Sequence, residues 1–247
     1  MKRALPGLTV VTSESIAVDE VFGNPAAYQP HPWRSWKTTL NGAARIIRFD
    51  RADPIVIPGA SQGLVHLFDR AGTELGHWSF STGWRLLLVN GSLESRPEVS
   101  AQVLVVQTGP FLMGRNVARQ YFGFSGDRLR FIRMEDDTGA ILRNNYNNPN
   151  HTLGIVPEAV TLDEWVGLLE SHNGVDVLAV LTFIGGVHTK PEDASPSWEH
   201  EDISQAEMAQ RLQRDVRICD LIARLSEADN DWVREAARLA IAKPPPW

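Results

Sequence analysis

The chain reads as an α+β protein: an antiparallel β-sandwich or open barrel in its N-terminal half, followed by a short α-helical half. Three observations predict this. Between residues 45 and 146, short runs of β-branched and aromatic residues are punctuated by Gly, Asn and Asp turn signals. Beyond residue 157 the apolar residues recur every three or four positions instead. Capping boxes, TLDE at 161–164 and SQAE at 204–207, mark helix starts in that second part. The expected units are an irregular N-terminal arm (1–44), an antiparallel β domain (45–157) and a helical domain (158–247) with an inserted loop (185–202).

In the arm, Pro25, Pro30 and Pro32 break any strand pattern, and Trp33 and Trp36 interleave with Arg34 and Lys37. The β domain opens with short runs at 45–49 and 54–57. Residues 64–68 and 73–80 flank DRAG at 69–72, where Gly72 supplies the positive φ of a hairpin turn. A strand over 84–90 is expected to turn back at Asn90 and Gly91. Residues 99–108 read as a buried strand, and 120–124, 128–134 and 140–143 as a meander turning at SGD (125–127) and DDTG (136–139). Connections this short force antiparallel pairing, because a parallel crossover needs about a dozen residues. Some seven or eight strands follow.

A polar, Asn-rich linker over 144–151 separates the halves. The first helix starts at the 161–164 capping box, with Val160 and Trp165 as its hydrophobic staple, and ends by Glu170. Residues 175–184 form a strongly apolar second helix. After the insert, Ala206, Ala209, Leu212, Val216, Cys219, Ile222 and Leu225 trace one stripe, predicting a single long helix. Asp229 or Asn230 caps the last helix, and the prolines at 244–246 stop it.

Residues 221–241 thus read as a helix end, a short acidic turn and a helix with an Ala-rich face. Asp231, then Val233 and Arg234, then Ala236 and Ala237 resemble the pattern of a HEAT repeat, and residues 160–243 resemble it more loosely. In a first unit at 168–177, Asp176 and Val177 match while Leu178 stands in the arginine's place. The resemblance implies stacked helix pairs that hold another macromolecule, with the arginine supporting adjoining turns. Two units are fewer than the roughly three that stack stably alone, so the β half is expected to share an interface with them.

With 43% hydrophobic and 22% charged residues, the 247-residue chain has the means to bury a substantial core. One cysteine, Cys219, excludes an intramolecular disulfide and fits a reducing compartment. Its place on the stripe predicts a buried thiol. No apolar run approaches the ~20 residues of a membrane span, and Pro6 and Gly7 interrupt any signal-peptide core, so the expected location is cytoplasmic with no membrane partner. The net charge of −6 is uneven: 16 Lys/Arg meet 13 Asp/Glu over residues 1–157, but 8 meet 17 over 158–247. An acidic helical half disfavours phosphate backbones and suits a protein partner with a basic or Arg-bearing surface.

Chemical motifs are sparse. GFSGD at 123–127 has Asp where a nucleophile elbow needs Gly. GASQG at 59–63 lacks the Lys of a phosphate loop. Asp127 and the Glu135–Asp137 group sit at turns, where acidic residues ordinarily cap the chain. The insert holds His188, Glu192, His200 and Glu201, a mixed imidazole and carboxylate set of the kind that binds zinc, manganese or iron. No cofactor motif is present and no cofactor is expected. The leading expectation is a non-enzymatic protein–protein interaction module (adaptor, regulator or accessory subunit) that binds through its acidic helical half. Trp198, Arg234, Trp33 and Trp36 are the expected contacts, with Arg234 equally suited to a structural role, bonding the adjacent turn. The alternatives are a metal-dependent hydrolase using 188–202 and single-stranded nucleic-acid binding through the arm at 33–37.

Overall fold

The computed structural model describes residues 34–52, 62–81, 86–110, 118–136, 138–141, 159, 161–186 and 205–242. These form eight strands and then five α-helices, a mixed α+β arrangement. β1 (Arg34–Leu40), β2 (Ala43–Ala52), β3 (Gln62–Asp69) and β4 (Glu74–Ser81) make one four-stranded antiparallel meander. β5 (Leu86–Arg96), β6 (Ala101–Pro110), β7 (Ala118–Ser125) and β8 (Arg128–Glu135) make a second. Among the described residues no strand of one sheet pairs with a strand of the other, so they do not close into a barrel.

The sheets meet through side chains. Trp78 of β4 sets its ring edge-on to Phe124 of β7, with centroids 6.3 Å apart. Phe49 of β2 fills the space where a Cβ on Gly91 of β5 would stand, 2.6 Å from that position. Arg34 donates to the Gly91 carbonyl at 2.9 Å, and the Thr38 hydroxyl donates to Gln102 Oε1. Arg45 grips both oxygens of Asp127 at 2.8 and 3.0 Å.

Local chemistry explains most turns. Asn41 (φ 49°) and Gly42 (φ 79°) both take positive φ, as a type I′ hairpin requires. The irregular arm expected over 1–44 therefore gives way at Arg34 to a strand that buries Trp36. At the β3–β4 turn, Asp69 accepts from the amides of Ala71 and Thr73, both at 2.8 Å, while Gly72 sits at φ 88°. The turn expected at Asn90 and Gly91 is absent. β5 continues through both residues, with a register shift between Leu88 and Asn90, and the chain reverses instead at a 3-10 turn, Pro97–Val99, and at Ser100. Gly91 is small because Phe49 presses on it, not because the chain turns there.

The second sheet is buried on both faces. Residues 102–106 of β6, 120–124 of β7 and 129–133 of β8 are buried consecutively, the signature of a sheet covered above and below. Its far cover is helical. α1 (Leu162–Leu169) starts at the expected capping box, with Thr161 and Glu164 exchanging bonds of 2.8 and 3.3 Å, and Trp165 stacks on Phe183 with centroids 5.4 Å apart. α2 (Gly174–Gly186) lies on β7 and β8. It is apolar around most of its circumference because it is enclosed between the sheet and the outer helices, with Leu178, Ala179, Val180, Leu181 and Ile184 fully buried. Thr182 donates to the Ile132 carbonyl at 2.8 Å, and Val175 stands 2.6 Å from where a Cβ on Gly123 would be.

The single helix expected over the 206–225 stripe is two, α3 (Gln205–Leu212) and α4 (Val216–Leu225). Asp215 caps α4 by accepting from the amides of Arg217 and Ile218, and this resets the phase of the apolar face. Ile218, Leu221 and Ile222 turn inward, whereas Val216 and Cys219 are exposed. The buried thiol expected from the stripe is thus corrected. α5 (Asp231–Ile241) is capped by Asn230 and packs on α2, where Gly185 lets the backbone of Ala240 approach. Among the described residues no helix is long and apolar enough to cross a membrane.

Substituting Gly123→Ala places a methyl inside the Val175 side chain. Overpacking of this kind costs about 1–3 kcal/mol, so the melting temperature falls by several degrees. Adding Val175→Ala recovers part of the loss. An unchanged melting temperature for Gly123→Ala contradicts the close contact.

Candidate functional site

Strand alternation sets the two faces of the second sheet. Gly91 and Leu93 of β5 belong to the face turned toward the first sheet or its edge, so Ser92, Glu94 and Arg96 lie on the helix-facing side. Their neighbours across β6 and β7 on that side are Val105, Gln107, Arg119 and Tyr121. In β8 the register slips by one residue at Ile132. Phe131 sits opposite Phe122 while Arg133 sits opposite Tyr121. A bulge re-aims side chains in this way, and it brings Arg133 and Glu135 to the same side as Tyr121.

The helices cover this face only in part. α5 lowers Trp232 onto Tyr121, edge-on at 5.1 Å between centroids. Arg133 lies over the Trp232 ring at 4.9 Å, and Arg96 over Trp232 at 5.8 Å and over Tyr121 at 5.2 Å. Such cation–π contacts strengthen as water is excluded. Arg133 is 5% exposed and lies between two carboxylates, Glu135 at 2.5 Å and Glu235 of α5 at 2.8 Å. Tyr121 donates to Glu135 at 2.7 Å. Burial, and then the bond to Glu135, push the Tyr121 hydroxyl up to about 12.

Beyond Trp232 no helix among the described residues covers the sheet. Gly91, Ser92, Glu94, Arg96, Val105, Gln107 and Arg119 line a groove of about 400 Å³. Glu94 accepts from Ser92 at 2.9 Å and from Arg96 at 2.6 Å. Arg119 and the Gln107 amide have no side-chain partner among the described residues. The groove therefore pairs a fixed wall, Arg96 braced by Glu94 and two aromatic rings, with two uncommitted donors.

The candidates read from sequence fall elsewhere. Trp36 is 4% exposed and packs in the core between the sheets. Arg234 donates to the carbonyls of Ala228 (2.8 Å) and Asp229 (3.3 Å) and pairs with Asp231, bracing the α4–α5 turn. Trp33, Trp198, His188, Glu192, His200 and Glu201 lie outside the described residues, so no geometry bears on those contacts or on metal ligation. Among the described residues no group of three His, Cys, Asp or Glu side chains is placed to hold a metal ion. The acidic group near β8 is occupied structurally. Asp127 pairs with Arg45, Glu135 with Arg133, and Asp136 accepts from the amides of Thr138 and Ala140, both at 2.9 Å. Ser125 faces Asn173 at 3.4 Å, and Gly123 serves the contact with Val175. No family model, curated protein or solved structure matches the chain.

Sequence reasoning passed over Ser92, Glu94, Arg96, Arg119, Tyr121 and Trp232. The one local signal was polar residues at every second position of β5. Their convergence depends on pairing between strands distant in sequence.

The raised Tyr121 value makes a pH prediction. Its folded value lies above the ordinary 10, so the linked stability is complete below pH 10 and is lost as pH rises through about 12. Ultraviolet titration of the native protein should show one tyrosine ionising near 12 that Tyr121→Phe removes. Only tyrosines ionising near the ordinary value would contradict the buried hydroxyl–carboxylate bond.

Proposed function

We propose that this chain is a non-enzymatic protein-binding module of the cytoplasm, acting as an adaptor, regulator or accessory subunit. Its docking face is the helical layer around the α4–α5 turn, and its partner presents a basic or Arg-bearing surface. The observation that carries this is the acidic rim of that turn. Glu227 is 80% exposed, Asp231 is 72% exposed, and Asp229 is exposed between them. The backbone beneath is held by Arg234 and by Asn230, which caps α5 and also bonds the Glu98 carbonyl of the turn after β5. A rim fixed before binding loses little conformational entropy on docking.

The HEAT-like reading of α4 and α5 rests on the sequence pattern at Asp231, Val233, Arg234, Ala236 and Ala237. Arg217 pairs with Asp163 across α4 and α1, which ties the outer helices together at their exposed faces. The uneven charge of the chain supports the choice of partner: complementary fields raise association rates and exclude like-charged surfaces.

The reading is tested by affinity capture from lysate of the source organism. The chain is compared with a Glu227→Lys, Asp229→Lys double variant of unchanged melting temperature. A specific protein should be retained by the natural chain, and retained several-fold less by the variant, with the difference shrinking as salt is raised. Equal retention would place the docking face elsewhere.

A further inference from the structure

We propose that the groove over Ser92, Gln107 and Arg119 is a binding site for a carboxylate group. This does not rest on the acidic docking rim, which lies on α4 and α5. Three observations carry it. Arg119 presents a guanidinium that has no acceptor among the described residues, and the neighbouring Gln107 amide has none either. Gln107 and Arg119 are directly paired across β6 and β7, so both donors rise from adjacent points on one face of the sheet. Arg96, held by Glu94 at 2.6 Å, adds a second positive charge to the same lining.

Charge and shape select the ligand. A guanidinium forks onto a planar carboxylate with two parallel bonds. Glu94 lies in the same groove and is offset by Arg96 at 2.6 Å, so Arg119 supplies the net charge of the lining; Glu135, opposite Arg119 across β7 and β8, is bonded to Arg133 and Tyr121. A single net positive charge is matched by a monoanion and leaves the second charge of a phosphate dianion uncompensated beside Glu94. Val105 supplies an apolar floor, and the volume of about 400 Å³ accommodates a ligand the size of one or two amino acids. The wall is rigid in advance, since Arg96 is clamped between Glu94 and the rings of Tyr121 and Trp232.

The test is a titration of the full chain at low salt, followed by amide and guanidinium NMR signals. The probes are N-acetylglycine, a capped peptide with one Glu, the same peptide with Gln in its place, and inorganic phosphate. Carboxylate probes should shift Arg119 and Gln107 saturably, while the Gln peptide does nothing and phosphate binds more weakly. If N-acetylglycine binds as well as the Glu peptide, the site takes a free small acid; if the peptide alone binds, the carboxylate belongs to a polypeptide. Either outcome supports the site. Arg119 is exposed, so its variants should melt as the natural protein does. Arg119→Lys keeps the charge but loses the fork, and affinity should fall about tenfold. Arg119→Ala should abolish binding. No saturable shift with either carboxylate, tighter binding of phosphate, or unchanged affinity in Arg119→Ala would overturn the proposal.

Discussion

Val175 of α2 occupies the space that any side chain at residue 123 would need, and the rest of the fold is arranged around that contact. Bringing a helix so close to β7 excludes water from one face of the second sheet while the first sheet excludes it from the other. The sheet then needs apolar residues at consecutive positions, and β6, β7 and β8 provide them. The same approach makes α2 an interior helix, which accounts for its largely apolar circumference. One hydrophobic cluster consequently runs from Trp36 in β1 to Ala240 in α5.

A doubly covered sheet is a poor place for charge, and that constraint shapes the groove. Where α5 ends its cover, Arg133 and Glu135 are buried, in a medium that penalises an ion left wholly unpaired by about 3–5 kcal/mol. They persist because Tyr121 and Glu235 complete the bonding and Trp232 faces both arginines. Trp232 therefore belongs to the core and to the groove wall together. The groove inherits its rigidity from packing, and it retains donors that no described residue consumes.

What was legible in the sequence was local. Asp69 to Gly72, the Thr161–Glu164 box and the Asn230 cap all act within a few residues, and each holds its expected turn or helix start. Two Asn-Gly pairs show the limit. Asn41 and Gly42 form the hairpin turn, whereas Asn90 and Gly91 lie within a strand because Phe49, distant in sequence, takes the space beside Gly91. The apolar stripe at 206–225 misled for a related reason: Asp215 caps a new helix, and a change of phase is invisible to a count of threes and fours. The groove was least legible. Its residues come from three strands, and their meeting is set by register rather than by spacing.

The central claim is that the helices complete the β core rather than sit beside it. The direct measurement is the thermal unfolding of the chain cut after residue 157, followed by near-ultraviolet circular dichroism. Without α2, Gly123 and the helix-facing side of β6 to β8 are exposed, so the fragment should lack fixed aromatic signals and show no cooperative transition. A soluble fragment that melts cooperatively with native aromatic dichroism would contradict the shared core.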